Sequence, residues 1–233
     1  MSWARLAVYF APPPSSPLWT FGSRTIGYDA ASGADVAQDP PPGFDAATWA
    51  AATAEPRKYG FHATLKAPFT LPADRRVDEV LTALHEFAGK QRAVAIPRPV
   101  VQPMGRFVAL VPDGELADLN ELAFAAVKHF EPFRAPLSAG DRARRVASAD
   151  LTARQLELLD TFGYPYVAEQ FRFHMTLTGP LPDADRSSVV EVLAARHAAE
   201  APGPLIVSRV VVFGQETRDG RFRIVASADL SAG

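Results

Sequence analysis

The chain has 233 residues, no cysteine and a formal net charge of −2, which excludes disulfides, thiolate catalysis and cysteine metal sites. Its sequence pI of about 6.2 disfavours long nucleic acid as a partner, because such proteins usually carry a basic stripe. A mean hydropathy of −0.02 predicts a soluble globular protein, and no apolar run reaches the length of a membrane span. The N-terminal segment is too short and too interrupted for a signal peptide, so a cytoplasmic location is expected.

Apolar spacing and turn residues predict the same order of elements in the two halves of the chain. The first half is predicted to contain a strand at 6–10, a helix opened by Ser16-Pro17 and ending near Ile26, a short helix around 46–53, a strand at 60–71, a helix from 74 to about 89 and a strand near 93–101. The second half is predicted to contain a strand at 106–111, a helix at 116–130, an arginine-rich loop, a helix near 152–162, a strand at 170–178, a helix capped by Asp183 and ending near 199, and strands at 205–213 and 221–228. The pattern predicts an α+β fold in one domain, 1–233, with approximate half-repeats at 1–105 and 106–233.

One short phrase occurs twice, as Phe61-His62-Ala63-Thr64-Leu65 and as Phe173-His174-Met175-Thr176-Leu177. Side chains two residues apart point to the same side of a strand, so each copy presents an imidazole beside a hydroxyl. The alternative is two ordinary strands whose histidines are satisfied by backbone partners.

The polar side of each predicted strand carries a cation and no acidic residue. Lys66 extends the first copy, and Arg172 and Thr178 flank the second. Such a surface suits an anion, so these three residues are predicted to contact substrate phosphate oxygens. The competing interpretation makes the two cations ordinary surface residues.

Imidazole titrates near neutral pH, so one histidine can accept a proton while the other donates one. Hydrolysis of a phosphodiester needs both functions on opposite sides of phosphorus. His62 and His174 are therefore the predicted acid–base pair, with Thr64 and Thr176 binding the non-bridging oxygens. No metal or other cofactor is required, and the sequence leaves open which histidine is the base.

These four residues resemble the motifs of the two-histidine (2H) phosphoesterase superfamily, whose members typically open cyclic phosphodiesters. The resemblance implies a bilobal, internally duplicated fold with two pseudo-twofold-related sheet lobes flanked by helices. It also implies catalytic roles for His62, Thr64, His174 and Thr176.

Longer phrases, Tyr59–Phe69, Phe173–Leu181 and the opening Ala7–Pro12, look like one bacterial branch of that superfamily. This branch is often encoded beside carbon–phosphorus lyase genes and described only as phosphonate-metabolism proteins. The resemblance implies a small sugar cyclic phosphate as the substrate, with 5-phosphoribosyl 1,2-cyclic phosphate as the candidate.

Two other functions stay open: a phosphodiesterase for RNA ends or nucleosides bearing a 2′,3′-cyclic phosphate, and a non-catalytic module that binds a phosphorylated ligand. A substrate with a second phosphate could be held by the predicted loop carrying Arg142, Arg144 and Arg145, or by Arg57-Lys58. Tyr9 and Tyr59 could line the pocket or pack beneath it. The oligomeric state is not predicted.

Overall fold

The computed structural model describes residues 3–147 and 150–231. Its strands are β1 (Arg5–Phe10), β2 (Tyr28–Asp29), β3 (Ala34–Asp35), β4 (Ala63–Phe69), β5 (Val94–Ile96), β6 (Pro99–Met104), β7 (Phe107–Pro112), β8 (Met175–Thr176), β9 (Leu205–Val207), β10 (Arg209–Gln215) and β11 (Arg223–Asp229). Its α-helices are α1 (Pro17–Ile26), α2 (Ala46–Ala52), α3 (Ala54–Tyr59), α4 (Val77–Ala88), α5 (Ala117–Phe130), α6 (Ala139–Ala147), α7 (Ala153–Phe162) and α8 (Asp183–Glu200). The predicted α+β class is confirmed.

A seven-stranded antiparallel sheet organises the molecule, in the order β11-β10-β1-β4-β8-β7-β6. Two pairs, β2-β3 and β5-β9, form separate small sheets. Strands β4 and β8 are joined through one residue pair, Ala63 opposite Met175. The two copies of the repeated phrase therefore meet at the middle of the large sheet.

The main hydrophobic core lies between this sheet and the longer helices. Helix α5 packs against β4, α8 packs against β6 and β7, and α4 packs against β10 and β11. The apolar residues of both phrases, Ala63, Leu65, Met175 and Leu177, belong to this core. Their burial orients the alternate, polar residues away from the core.

A break in the alternation occurs in β4 just after the first phrase. The register with β1 shifts between the Tyr9–Thr64 and Val8–Lys66 pairs, so an extra residue is inserted at Leu65. A β-bulge of this kind turns the following side chain to the other face of the strand. Lys66 consequently leaves the polar face that strict alternation predicted for it.

Five predictions about single elements differ from the structure. The segments 93–101 and 205–213 each split into two strands that belong to different sheets, and the first break falls at Pro97, which has no N–H to donate. The predicted strand 170–178 shrinks to the two residues of β8, and the arginine-rich segment is helix α6. Asp183 does not cap α8; it is the first helical residue, and Pro182 occupies the cap position.

In the large sheet, strands of one predicted half-repeat pair with strands of the other. β6 lies in the first predicted half and pairs with β7 of the second. β10 and β11 lie in the second predicted half and extend the sheet beside β1 of the first. The half-repeats 1–105 and 106–233, and the bilobal duplication, therefore stay predictions. None of the described helices combines the length and the apolar character needed to cross a membrane.

Candidate functional site

The two His-x-Thr triplets lie side by side in antiparallel orientation. His62 and His174 each lie immediately before the strand that carries the rest of their triplet. Continuing the Ala63–Met175 register places His62 opposite Thr176 and His174 opposite Thr64. In that register His62 and His174 are diagonal neighbours, for which the usual separation is about 7–8 Å.

The same backbone contact fixes the orientation and tautomer of both imidazoles. Nδ1 of His62 lies 2.8 Å from the carbonyl oxygen of Gly60, and Nδ1 of His174 lies 2.7 Å from that of Arg172. A carbonyl oxygen can only accept, so Nδ1 carries the proton in each ring. In the neutral form Nε2 is then the acceptor, and at His62 it receives a hydrogen bond from the Thr64 hydroxyl at 3.2 Å.

Gly60 is required for the turn that presents its carbonyl to His62. Its φ of 79° lies in the left-handed region, which residues with a Cβ rarely adopt. A Cβ at this position would also lie 2.7 Å from the Cβ of Ala30. The Tyr59-Gly60 pair in the first phrase is therefore part of the support for His62.

Tyr9 covers the ring of His62. The two rings are stacked with centroids 3.7 Å apart, and Tyr9 is buried. Burial lowers the pKa of His62 to about 4, outweighing the opposing effect of the Gly60 hydrogen bond, and His174 lowers it further. Burial also lowers the pKa of His174, against the effect of its bond to Arg172. Both imidazoles are therefore neutral at pH 7 in the free protein.

Two adjoining cavities open onto the triplets. One, of about 270 Å³, is lined by His62, His174, Thr176, Thr178, Tyr59 and Phe107, among others. The other, of about 290 Å³, is lined by Thr64, His174, Arg172, Phe107, Tyr164 and Tyr166, among others. His174 and Phe107 border both cavities, so the four predicted acid–base and hydroxyl residues share one continuous cleft.

Two of the three predicted substrate contacts are engaged by the protein itself. Lys66 is buried and forms an ion pair with Glu131, near the carbonyl oxygen of Val127 at 3.4 Å. The Thr178 hydroxyl is buried, accepts from the Val108 N–H at 3.0 Å and donates to the Gly179 carbonyl at 2.8 Å. We therefore no longer assign these two side chains to the substrate.

Arg172, the third predicted contact, is exposed at the cleft. Its guanidinium donates to its neighbour's carbonyl oxygen, that of Phe171, at 2.8 Å. The other guanidinium donors can still reach a ligand in the 290 Å³ cavity that Arg172 lines.

The cations proposed for a second phosphate separate into different roles. Arg57 donates to the carbonyl oxygen of Ile26 and to the side chains of Gln38 and Thr53, so it fastens the chain between α1 and α3. On α6, Arg142 pairs with Asp160 at 2.6 Å.

The other cations of that set lie on α6 and at the end of α3. Arg144 pairs with Asp141, whereas Arg145 lies 5.7 Å from the centre of the ring of Tyr164, which lines the cleft. Lys58 is half-buried, and its carbonyl oxygen accepts from the N–H of Phe222.

Sequence reasoning missed the aromatic walls of the cleft. Phe107 lies 5.9 Å from His174, measured between ring centroids, and Tyr164 and Tyr166 border the same space. The sequence around Phe107 and the sequence around Tyr164 and Tyr166 have no local pattern that distinguishes a cleft residue from a core residue. In residues 3–147 and 150–231, no three side chains of the metal-binding types are grouped to hold an ion.

Two curated proteins are similar to the chain over most of its length, and both are described as ribose 1,5-bisphosphate phosphokinase PhnN. The protein from Janthinobacterium sp. (strain Marseille) is 38% identical over 219 residues, covering 92% of this chain and 48% of that protein. The protein from Laribacter hongkongensis (strain HLHK9) is 35% identical over 222 residues, covering 94% and 50%. The chain thus spans about half the length of these relatives.

Solved structures match 99% of the chain, and 99% of their own length, at low identity. They include a crystal structure described as a phosphoesterase, with 15% identity and a TM-score of 0.42. They also include E. coli LigT complexed with ATP, with 14% identity and a TM-score of 0.44. At this TM-score the likeness is too weak to carry a conclusion about activity.

A family model provides the firmest assignment. The model described as "Protein of unknown function (DUF1045)" matches residues 64–223, which is more than half of the chain and includes His174 and Thr176. The chain therefore belongs to the DUF1045 family.

Proposed function

We propose that this protein is a phosphodiesterase-type hydrolase that opens the cyclic phosphodiester of a small sugar phosphate. The observation that carries the proposal is the matched pair of imidazoles: His62 and His174 border one cleft, and each has its Nδ1 proton bound to a backbone carbonyl. A module that only binds phosphate needs cations and hydroxyls. It has no use for two imidazoles held in the same tautomer.

In the proposed reaction the two Nε2 atoms exchange protons with water and substrate. Nε2 of His62 takes a proton from a water molecule whose oxygen forms a bond to phosphorus. One P–O bond of the cyclic phosphodiester breaks, and Nε2–H of His174 donates its proton to the departing oxygen. The products are a phosphomonoester and a free hydroxyl on the neighbouring carbon, so one water is consumed.

We assign the base to His62 because its environment holds it neutral more firmly. Stacking under Tyr9 and burial keep its pKa at about 4. The negative charge of a bound phosphate favours protonation of a neighbouring imidazole, and His174 borders both cavities where that charge would lie.

The hydroxyl residues and one cation complete the proposed site. In the proposed complex the attacking water replaces the Thr64 hydroxyl as the donor to Nε2 of His62. Thr64 and Thr176, which lie diagonally across the cleft, can then both donate to the non-bridging phosphate oxygens. Arg172 at the edge of the cleft is proposed to offset the charge that develops on those oxygens.

The sugar is inferred from the relatives. Their name refers to ribose 1,5-bisphosphate, a ribose bearing two phosphates, and this chain matches about half of each protein. A cyclic ribose phosphate such as 5-phosphoribosyl 1,2-cyclic phosphate is chemically close to that compound. We propose it as the substrate, with a place in phosphonate catabolism.

A second candidate substrate is a nucleoside 2′,3′-cyclic phosphate. The 290 Å³ cavity beside Thr64 and His174 has aromatic walls from Phe107, Tyr164 and Tyr166. Aromatic side chains stack on nucleobases with little regard to sequence. This cavity is the observation that favours the second candidate.

The test compares both substrates with purified protein in the presence of a chelator. We expect 5-phosphoribosyl 1,2-cyclic phosphate to be converted to a phosphomonoester, detected by phosphorus NMR, at least tenfold faster than adenosine 2′,3′-cyclic phosphate. A reversed preference would establish the second candidate instead. Turnover of neither compound, or turnover only with added divalent metal, would contradict the proposed function.

A further inference from the structure

A small polar cavity is lined by Phe162 and Gly163, the two residues that precede Tyr164 of the cleft. It has a volume of about 50 Å³, and its charged lining consists of Arg5, Arg134, Arg145, Arg218 and Asp141. A water molecule needs about 10–15 Å³ of such volume, so the space can hold a few waters or one tetrahedral oxyanion. Its lining sets four guanidinium groups against one carboxylate.

Two of these arginines are committed to acidic partners. Arg134 forms a forked contact with Glu131, and Arg218 pairs with Asp141 at 3.1 Å. Asp141 is itself shared with Arg144 and bound by Ser138, and these bonds lower its pKa to about 2. The carboxylate is thus ionised and already heavily bonded, which limits how much charge it can offset elsewhere.

Arg5 and Arg145 each lie against an aromatic ring. The Nε of Arg5 donates to the neutral Gln215 amide oxygen at 2.7 Å, and its guanidinium carbon lies 5.4 Å from the centre of the Phe222 ring. Arg145 lies over the Tyr164 ring at 5.7 Å, and its charge acts on that of Arg5. Burial lowers the pKa of Arg145, as expected for a cation partly removed from water.

The cationic cavity lies close to the cleft, although the two have no lining residue in common. Arg145, which lines the cationic cavity, lies over the ring of Tyr164, which lines the 290 Å³ cavity with Thr64 and His174. Arg5 lies four residues before Tyr9 on β1, so both side chains are on the same face of the strand, about 13 Å apart at Cα. The guanidinium carbon of Arg5 lies 5.4 Å from the Phe222 ring, and the centroid of that ring lies 6.4 Å from that of Tyr9, which is stacked on His62.

We propose that Arg5 and Arg145 form a second anion subsite that binds a phosphomonoester on the same substrate whose cyclic diester lies between His62 and His174. Planar guanidinium groups match phosphate oxygens in a bidentate manner, and a phosphomonoester offers two negative charges. The inference rests on the proposed function and narrows its substrate to cyclic phosphodiesters that carry a second phosphate.

The test uses a matched pair of substrates, ribose 1,2-cyclic phosphate with and without a 5-phosphate. We expect the wild-type protein to prefer the 5-phosphorylated compound, and Arg145→Gln and Arg5→Gln to lower kcat/KM for it by about 10- to 100-fold. The change for the compound without the 5-phosphate should be much smaller. Arg142→Gln on the same helix is the control, since Arg142 pairs with Asp160, and it should alter neither value more than about twofold.

Failure of the subsite and failure of the proposed function give different results. Equal losses on both substrates, or no loss in either variant, would overturn the subsite while leaving the hydrolase intact. If the wild-type protein hydrolyses neither compound, titration with inorganic phosphate decides the subsite independently. Weaker phosphate binding by Arg145→Gln than by Arg142→Gln would then support the subsite, and equal binding would overturn it.

Discussion

The two His-x-Thr triplets share one hydrogen bond but differ in the rest of their surroundings. Each Nδ1 donates to the carbonyl two residues earlier. The first triplet leads into the seven-residue β4, and its imidazole is stacked on Tyr9 and accepts from Thr64 at Nε2. The second belongs to the two-residue β8, and its imidazole lies 5.9 Å from the ring of Phe107. The same Nδ1 bond in different surroundings gives two chemically identical groups different proton affinities, which is what an acid and a base require.

The largest expected effect comes from removing either imidazole. His62→Ala and His174→Ala should each lower kcat for the cyclic phosphate by about 10²- to 10⁴-fold, with KM changing much less. The exposed His85 on α4 supplies a matched control, and His85→Ala should keep full activity.

The pH profiles of these variants sharpen the comparison. If His62 is the base, His62→Ala loses the acidic limb of the kcat/KM profile, while His174→Ala loses the alkaline limb. If His62→Ala instead lost the alkaline limb and His174→Ala the acidic limb, the acid and base roles of the two histidines would be exchanged. Near-full activity in both variants would end the proposed mechanism.

A smaller effect is expected in the pH dependence of stability. The pKa of His62 is about 4 in the folded protein and about 6.5 in an unfolded chain, so the unfolded state binds the proton more readily. The free energy of unfolding should therefore fall as the pH drops from about 6.5 to 4, with up to about 3 kcal/mol from this group. Urea unfolding of wild type and His62→Asn at pH 7 and 4.5 isolates the contribution; a difference between the two proteins that does not change with pH would contradict it.

The smallest effect is expected for residues that follow the two triplets along the chain. Lys66 and Thr178 each lie two residues after a motif threonine, and both are bonded within the protein. Lys66→Met should lower the free energy of unfolding by about 1–2 kcal/mol, because Glu131 keeps Arg134 as its partner, while KM changes less than twofold. Arg172→Met is the counterpart and should raise KM several-fold without loss of stability. A KM increase in Lys66→Met as large as in Arg172→Met would return Lys66 to the substrate.

Local patterns predicted much of the fold, and the reason lies in particular residues. Ser16 accepts from the Trp19 N–H and Pro17 begins α1, as the sequence signals predict. The apolar alternation around His62 and His174 is real and places Ala63 and Met175 in the core. These features depend on neighbours within a few positions along the chain.

The remaining features depend on contacts between distant segments. The bulge that turns Lys66 inward arises from the pairing of β4 with β1, and no residue of the first His-x-Thr phrase predicts it. The same is true of Tyr9 over His62 and of Arg145 over Tyr164, which join segments far apart in the chain. Helix α6 was not predicted because its run of charged residues, none of which is buried, is equally typical of a solvated loop.

The carbonyl contacts of Gly60 and Arg172 have an evolutionary consequence. Main-chain oxygens are supplied by every amino acid, so mutations around the cleft, apart from those at Gly60, can change ligand preference without disturbing where the imidazole protons reside. Descendants of one ancestral gene could thus diversify in specificity while inheriting unaltered proton-transfer chemistry.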